Sequence, residues 1–188
     1  MAKAKTVNDV LRTIQATYAD KVLKSMKVAR AEALQKVTDE AKNILAEYYG
    51  EYRPERYNRT ETLKNSINDD NPSKNAIKPF SKLAYNSSKT AVKLTVGIEY
   101  DSSKLDNTYY GSKKWSPVEG AYVLNNFLEG IHPGTEGNST PWLGDGPAPY
   151  YWEEQFEPTP WNKMQRYLDN GLPVQVQKSL LKAFFKGK

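Results

Sequence analysis

Side chains that could do chemistry are concentrated in one stretch near the carboxyl terminus. Glu153, Glu154 and Glu157 lie in the window from Trp142 to Trp161, which also holds six aromatic residues. Paired carboxylates across a sugar ring could hydrolyse a glycosidic bond, with the aromatics forming a sugar-binding groove. Neighbouring glutamates in one segment cannot span a substrate at the required separation without a carboxylate from elsewhere. The sequence therefore predicts no catalytic residue here.

The same window is typical of an interface. Tryptophan and other large aromatics are enriched where proteins meet one another. We therefore predict that Trp142, Trp152 and Trp161, with Glu153 and Glu154, lie at a subunit interface. A glycan-binding or cell-wall-binding module that uses the Trp142 to Trp161 aromatics stays open as an alternative function.

Residues for other site chemistry are scarce. The chain has no Cys and one His, so disulfides, thiolate zinc sites, cysteine nucleophiles and two-histidine metal motifs are excluded. His132 is followed by Pro133 and Gly134, a pattern typical of a tight turn. Glycine-rich phosphate loops are absent. We expect no enzyme activity, no metal site and no cofactor.

Charge is distributed unevenly along the chain. The net charge is +5, yet residues 121–160 carry six acidic side chains and no Lys or Arg, whereas residues 161–188 carry six basic and one acidic. We expect the acidic part to contact the basic helices of a neighbouring copy, or to line a channel through which DNA slides. An acidic loop without such a role is the other interpretation. Non-specific DNA binding also stays open, although no signature of sequence-specific recognition is present.

The length and apolar content predict one folded domain over residues 1–188. No run of about 18 apolar residues exists, and the amino terminus lacks the apolar stretch of a signal peptide. We expect a protein made in a cytoplasm, with no membrane partner.

Residues 1–50 predict one long helix. Its stripe of apolar or aromatic residues recurs every three or four positions, at 7, 11, 14, 18, 22, 26, 29, 33, 37, 41, 44 and 48. A helix from Val7 to Tyr49 would be roughly 63 Å long, whereas a compact domain of this size is on the order of 40 Å across. The helix must break near Ala29 and Ala33 or pack on another subunit. The small side chains at these two positions favour a subunit interface.

A small antiparallel sheet and short helices are predicted to follow. Residues 91–100 alternate apolar and polar side chains, as in a half-buried strand, and residues 78–85 are the expected hairpin partner. Two short helices are expected over Trp161–Leu168 and Val174–Phe185, with Gly171 capping the first and Pro173 starting the second.

These patterns predict an α+β fold, in which a long amino-terminal helix packs on a small antiparallel sheet with short carboxy-terminal helices. The expected division is a long helix over 1–50, a sheet region over 57–130 with an exposed insertion at 101–120, a loop rich in Gly, Pro and aromatics over 131–160, and helices over 161–188.

A short motif after the long helix resembles a known family. The stretch from Tyr57 to Ile67 is similar to the Arg-Thr-Gly-x-Leu-x-x-Ser-Ile signature of the tail-completion proteins of tailed bacteriophages, also called neck or minor tail components. The residues that match the family pattern are Arg59, Thr60, Leu63, Ser66 and Ile67, followed later by Glu129 and Gly130. Glu61 replaces the usual glycine.

The resemblance implies a structural protein of the virion without catalytic activity. It would form a homo-oligomeric ring, a hexamer by the family pattern, that joins head and tail. Its partners would be the neighbouring neck and tail proteins, with at most non-specific contact with passing DNA. Its expected location is the neck or tail of the virion.

Overall fold

The computed structural model has the predicted α+β architecture: a long amino-terminal helix, an antiparallel hairpin and short carboxy-terminal helices. It describes residues 7–51, 63–68, 70–87, 91–105, 120–132, 154–155 and 157–186, with the backbone alone at 7–14, 51, 122, 131–132 and 154–155. The helices and strands are α1 (Val7–Glu51), β1 (Ile77–Tyr85), β2 (Val92–Tyr100), α2 (Gly120–Glu129), β3 (Ile131–His132), β4 (Glu154–Gln155), α3 (Pro160–Arg166) and α4 (Leu172–Phe185).

Helix α1 is continuous over 45 residues, which gives it a length of about 67 Å. It does not break at Ala29 or Ala33, so that alternative is wrong. Alanine has the highest helix propensity of all residues and interrupts no backbone hydrogen bond. The small side chains of Ala29 and Ala33 therefore allow other elements to approach α1 closely without interrupting the helix.

The hairpin and α4 pack along the middle of α1. Ala33, Val37 and Leu172 form a buried cluster, against which Val96 and Ile98 of the hairpin are packed. The apolar face of the hairpin thus lies over α1 and the start of α4, and α1 has neighbours from both elements within its own chain.

The hairpin has the predicted strands and faces. Its register pairs Ile77 with Tyr100 and Tyr85 with Val92. On the outer face Phe80 lies opposite Gly97, and a Cβ built at Gly97 would be 3.0 Å from the Phe80 ring. Gly97 is therefore buried because an aromatic ring covers it, which the alternating pattern alone does not indicate.

The main core surrounds the last third of α1. Its members are buried residues from α1, the segment before β1, the start of β1, the 3₁₀ turn after β2, α2 and α3: Ala41, Ile44, Leu45, Tyr48, Leu63, Ile67, Ala76, Ile77, Leu105, Leu124, Phe127 and Met164. Because elements distant in sequence meet here, this end of α1 contacts residues from several other parts of the described chain.

The predicted exposed insertion at 101–120 is wrong at both ends. Asp101 caps a 3₁₀ turn over Ser102–Lys104, and Leu105 is buried in the main core. Gly120 is buried at the start of α2, where a Cβ would collide with the carbonyl oxygen of Ser102. Residues 106–119 lie outside the described part of the chain. Residues 121–128, assigned from sequence to the sheet region, are helical.

The two carboxy-terminal helices are joined without a break, through a π-helical turn at Tyr167–Gly171. Gly171 has right-handed helical angles and is not the predicted cap. A proline ring clashes with the carbonyl four residues before it, and a π turn accommodates such a misfit. Pro173 therefore lies just beyond the π turn, inside the first turn of α4. A Cβ at Gly171 would be 3.0 Å from the Tyr167 ring, so the glycine makes room for that ring.

We expect Asp101→Asn to reduce stability at neutral pH and to lose its effect in acid. The Asp101 carboxylate accepts hydrogen bonds from Lys78 Nζ at 2.7 Å and Ser103 Oγ at 2.5 Å, which hold its pKa near 2 instead of 3.8. A lowered carboxyl pKa stabilises the fold above the unfolded value, and the contribution is lost as pH falls from about 3.8 towards about 2.

Melting temperatures of the Asp101→Asn variant and the wild type, measured between pH 7 and pH 2, check this expectation. Glu99→Gln is the control, because Glu99 makes an exposed ion pair with Lys82 at 3.7 Å and such pairs contribute little. A constant difference between Asp101→Asn and wild type across the pH range would contradict the proposed linkage.

Candidate interaction surface

The residues of the family-like motif that the structure describes belong to the core. Leu63, Ser66 and Ile67 are all buried, and the Ser66 carbonyl accepts a hydrogen bond from the backbone N–H of Ile77 at 3.3 Å. The motif thus connects the end of α1 to the start of β1. Arg59 and Thr60 lie outside the described residues.

Glu129 and Gly130 end helix α2. Gly130 has a φ of 67°, the left-handed conformation that glycine adopts without strain, and its N–H donates to the carbonyl of Phe127 at 3.1 Å. The sequence correctly predicted the end of an element here.

Ser66→Ala is expected to leave stability unchanged or to raise it by up to about 1 kcal/mol. The Ser66 hydroxyl is fully buried, and no hydrogen-bond partner for it exists within the described residues. Removing a buried polar group without a partner removes a desolvation cost. Urea denaturation of the variant and the wild type measures the difference.

Asn75→Ala is the control for that substitution. The Asn75 side chain is also buried, but it accepts a hydrogen bond from Asn68 N at 2.9 Å and donates one to Asn68 O at 3.1 Å. Its loss should cost about 1–3 kcal/mol. An equally large loss for Ser66→Ala would mean that the hydroxyl has a partner outside the described part of the chain.

The predicted interface alanines are covered by their own chain. Ala29 and Ala33 are 0% and 1% exposed, on a helix that contacts α4 and both strands of the hairpin. This corrects the prediction for these two positions, since neither methyl group is left for a second subunit. Close approach of a neighbouring element does occur here, but the neighbour is within the chain.

Of the three tryptophans in the predicted aromatic interface, Trp161 lies within the described residues. Trp161 is 44% exposed at the start of α3, with its ring 6.2 Å from that of Tyr100. Burial raises the pKa of Tyr100 to about 12, so its hydroxyl stays neutral at any physiological pH. Trp142, Trp152 and Glu153 lie outside the described residues, and Glu154 is described through its backbone alone.

The ends of the predicted 131–160 loop are joined by a small antiparallel ladder. Strand β3 pairs with β4, with Ile131 opposite Gln155 and His132 opposite Glu154. The sequence did not predict this pairing, because each strand has two residues and no recognisable alternation. Glu129 and Glu157 are exposed and flank the same end of the ladder.

Two carboxylates of the second half of α1, Glu40 and Glu47, lie at the same end of the molecule, together with Lys42 and with Lys163 of α3. Lys163 of α3 contacts Glu47 at 2.5 Å. Partial burial, and then the charge of Glu47, raise the pKa of Glu40, while Lys163 lowers it. We call this region, together with Glu129 and Glu157, the acidic end.

The opposite end of the molecule is basic. Helix α4 runs antiparallel to α1, because Leu172 packs with Ala33 and Val37 whereas Phe184 stacks on Tyr18 at 6.5 Å. Two sets of basic residues are thereby brought together, Lys21, Lys24, Lys27 and Arg30 on α1 and Lys178, Lys182 and Lys186 on α4. We call this region the basic end.

Helix α4 carries a second apolar face that points away from α1. Val174, Leu181 and Phe185 are 49%, 48% and 55% exposed, and with Lys178 they follow the spacing of four, three and four residues that places side chains on one helical face. Leu172 and Ser179, which are buried, lie on the other face. We call the exposed row from Val174 to Phe185 the α4 outer stripe.

The outer stripe was not predicted from the sequence. The sequence of α4 does contain a signal for it, because apolar residues lie on more than one face of the helix. A helix with two apolar faces can pack against two different neighbours. Only the structure shows which face is already buried.

The described residues include no group of three or more His, Asp or Glu side chains that could hold a metal ion. None of the described helices is both long enough and apolar enough to cross a membrane. The surface of the described region carries an apolar row beside lysines on α4, and carboxylates at the other end of α1.

Comparisons with protein-family models, curated proteins and solved structures give no match to this chain.

Proposed function

We propose that this protein is a structural component of a tailed-phage virion, a ring-forming tail-completion or neck protein that joins head and tail. The observation that carries the proposal is the polarity of the molecule along α1, with a basic end and an acidic end. At the rise of an α-helix, Lys21 and Glu47 are about 39 Å apart along α1. Subunits with complementary ends associate head to tail, and such contacts close into rings when the rotation permits.

Two further features support this function. The order of elements, with a long helix, the Leu63, Ser66 and Ile67 motif and then a hairpin, follows the order that the family resemblance implies. The motif residues are buried and connect elements, which suits a packing role in a structural protein better than a role in catalysis.

The test is the mass of the purified protein as a function of concentration, measured by light scattering after size exclusion, followed by electron microscopy. We expect a discrete closed oligomer with a central opening. Glu153→Lys combined with Glu154→Lys should impair this assembly if the acidic segment contacts the next subunit. A chain that stays monomeric at every concentration and binds no purified tail component would contradict the proposal.

Non-specific DNA binding is a second candidate, favoured by the clustering of seven basic side chains at the basic end. Binding driven by phosphate contacts must weaken steeply as salt rises. A gel-shift titration at two salt concentrations tests it, and absence of a shift at low salt would remove this candidate.

A further inference from the structure

We propose that the α4 outer stripe and its flanking lysines form the subunit interface, and that its occupant is the acidic end of a second copy of this chain. The inference rests on the proposed assembly of subunits and assigns the surface through which they meet. That surface consists of Val174, Lys178, Leu181, Lys182 and Phe185.

The apolar part of the surface is exposed enough to favour burial by a partner. Val174, Leu181 and Phe185 are each about half exposed and lie in one helical row. Isolated exposed apolar residues are common on any protein surface, but a row of three on one helix face is not an isolated exposure. The row also has the spacing by which one helix packs against another element. A partner that covers it would remove apolar area from water and stabilise the complex.

The lysines beside the row indicate the charge of the partner. Lys178 and Lys182 are exposed, and within the described residues neither makes an ion pair. The complementary charge exists in the same molecule, because Glu129 and Glu157 are exposed beside the β3–β4 ladder, in the part of the chain that has no Lys or Arg between residues 121 and 160. Opposite charges on two ends of one chain favour association of copies in a fixed orientation.

The geometry also requires two copies. Helix α4, which carries the outer stripe, packs along α1 between Tyr18 and Val37, whereas α2 and α3 pack around the last third of α1. The part of the stripe around Leu181 and Phe185 and the acidic end lie towards different ends of the continuous helix α1, so one molecule cannot bring them together. A heterologous contact between copies is the arrangement that joins them.

Two charge-reversed variants test the pairing. The first carries Lys178→Glu and Lys182→Glu, and the second carries Glu129→Lys and Glu157→Lys. Each variant has like charges at its two ends, so each alone should lose self-association by about 100-fold or more in concentration. Mixed in equal amounts, the variants have complementary ends again and should associate in alternation. Mass by light scattering of each variant, of the mixture and of the wild type gives the answer.

The matched control is Lys93→Glu with Lys104→Glu, which makes the same change in net charge at exposed positions away from α4. It should associate as the wild type does. A further variant, Leu181→Ser with Phe185→Ser, removes apolar side chains from the outer stripe and should weaken association without reversing any charge. Circular dichroism of every variant establishes that the helices are retained.

Each outcome decides between definite alternatives. Loss in both single variants with recovery in the mixture supports the interface. A ring that persists in the Lys178→Glu, Lys182→Glu variant leaves the proposed function standing and overturns this interface. Recovery of a dimer or open chain without a ring supports the interface and counts against the ring. Wild-type binding to anionic lipid vesicles or DNA through these lysines, without self-association, would assign the surface to a different partner and overturn the inference.

Discussion

Phe127→Ala is expected to destabilise the protein by about 3–5 kcal/mol. Phe127 is 4% exposed in the main core, where its ring meets the edge of Tyr48 at a centroid distance of 5.2 Å. Truncation removes the buried ring, the aromatic pair and the contact between α2 and the end of α1, and it leaves a cavity lined by residues that are fixed by other contacts. Chemical denaturation at low protein concentration measures the change in the free energy of unfolding.

Phe185→Ala provides the control, because it deletes the same atoms from a side chain that is 55% exposed on the outer stripe. Its effect on the stability of the monomer should lie within about 0.5 kcal/mol of the wild type. Equal losses for the two variants would contradict the assignment of Phe127 to the core and of Phe185 to the surface.

Ala29→Leu and Ala33→Leu are each expected to destabilise the monomer by about 1–3 kcal/mol. Both alanines are buried on the part of α1 that contacts α4 and the hairpin. A leucine at either position must push a neighbouring element away from α1, because helix and sheet already lie in contact there. Thermal unfolding at low protein concentration, where association is negligible, measures the effect on the single chain.

The control is Ala31→Leu, since Ala31 is exposed on the same helix and leucine is nearly as good a helix former as alanine. Stability should be unchanged. If Ala29→Leu left the monomer as stable as wild type and abolished assembly instead, the alanines would face a second subunit, as the sequence alone suggested.

Local patterns were sufficient for the regular elements. The spacing of three and four residues located α1 to within two residues at its carboxyl end, and the alternation over 91–100 located β2 and the face it buries. Both signals are periodic over many residues, so one neighbour cannot change them. The β3–β4 ladder and the helical state of 121–128 were missed, because these elements are short and depend on contacts with residues far along the chain.

The candidate surface could be predicted only in part. The charge distribution along the chain indicated an acidic and a basic part. The subunit-interface role of Trp161, which is 44% exposed, stays a prediction. The roles of Ala29 and Ala33 were misassigned, since small residues at helical spacing predict a close neighbour without saying whether it belongs to the same chain. Which face of α4 stays uncovered depends on where α1 lies, and no property of α4 alone contains that information.

Sequence patterns are sufficient to predict the α+β class, the length of α1, the strand that forms β2 and the separation of acidic from basic segments. Each of these follows from interactions between residues close in the chain, or from composition alone. Packing between elements far apart in the chain makes α4 fold back along α1, brings the lysines of both helices to one end and leaves Val174, Leu181 and Phe185 facing outwards. Those features depend on how apolar faces pair across long separations in sequence, and several pairings satisfy the same periodicity until packing selects one of them.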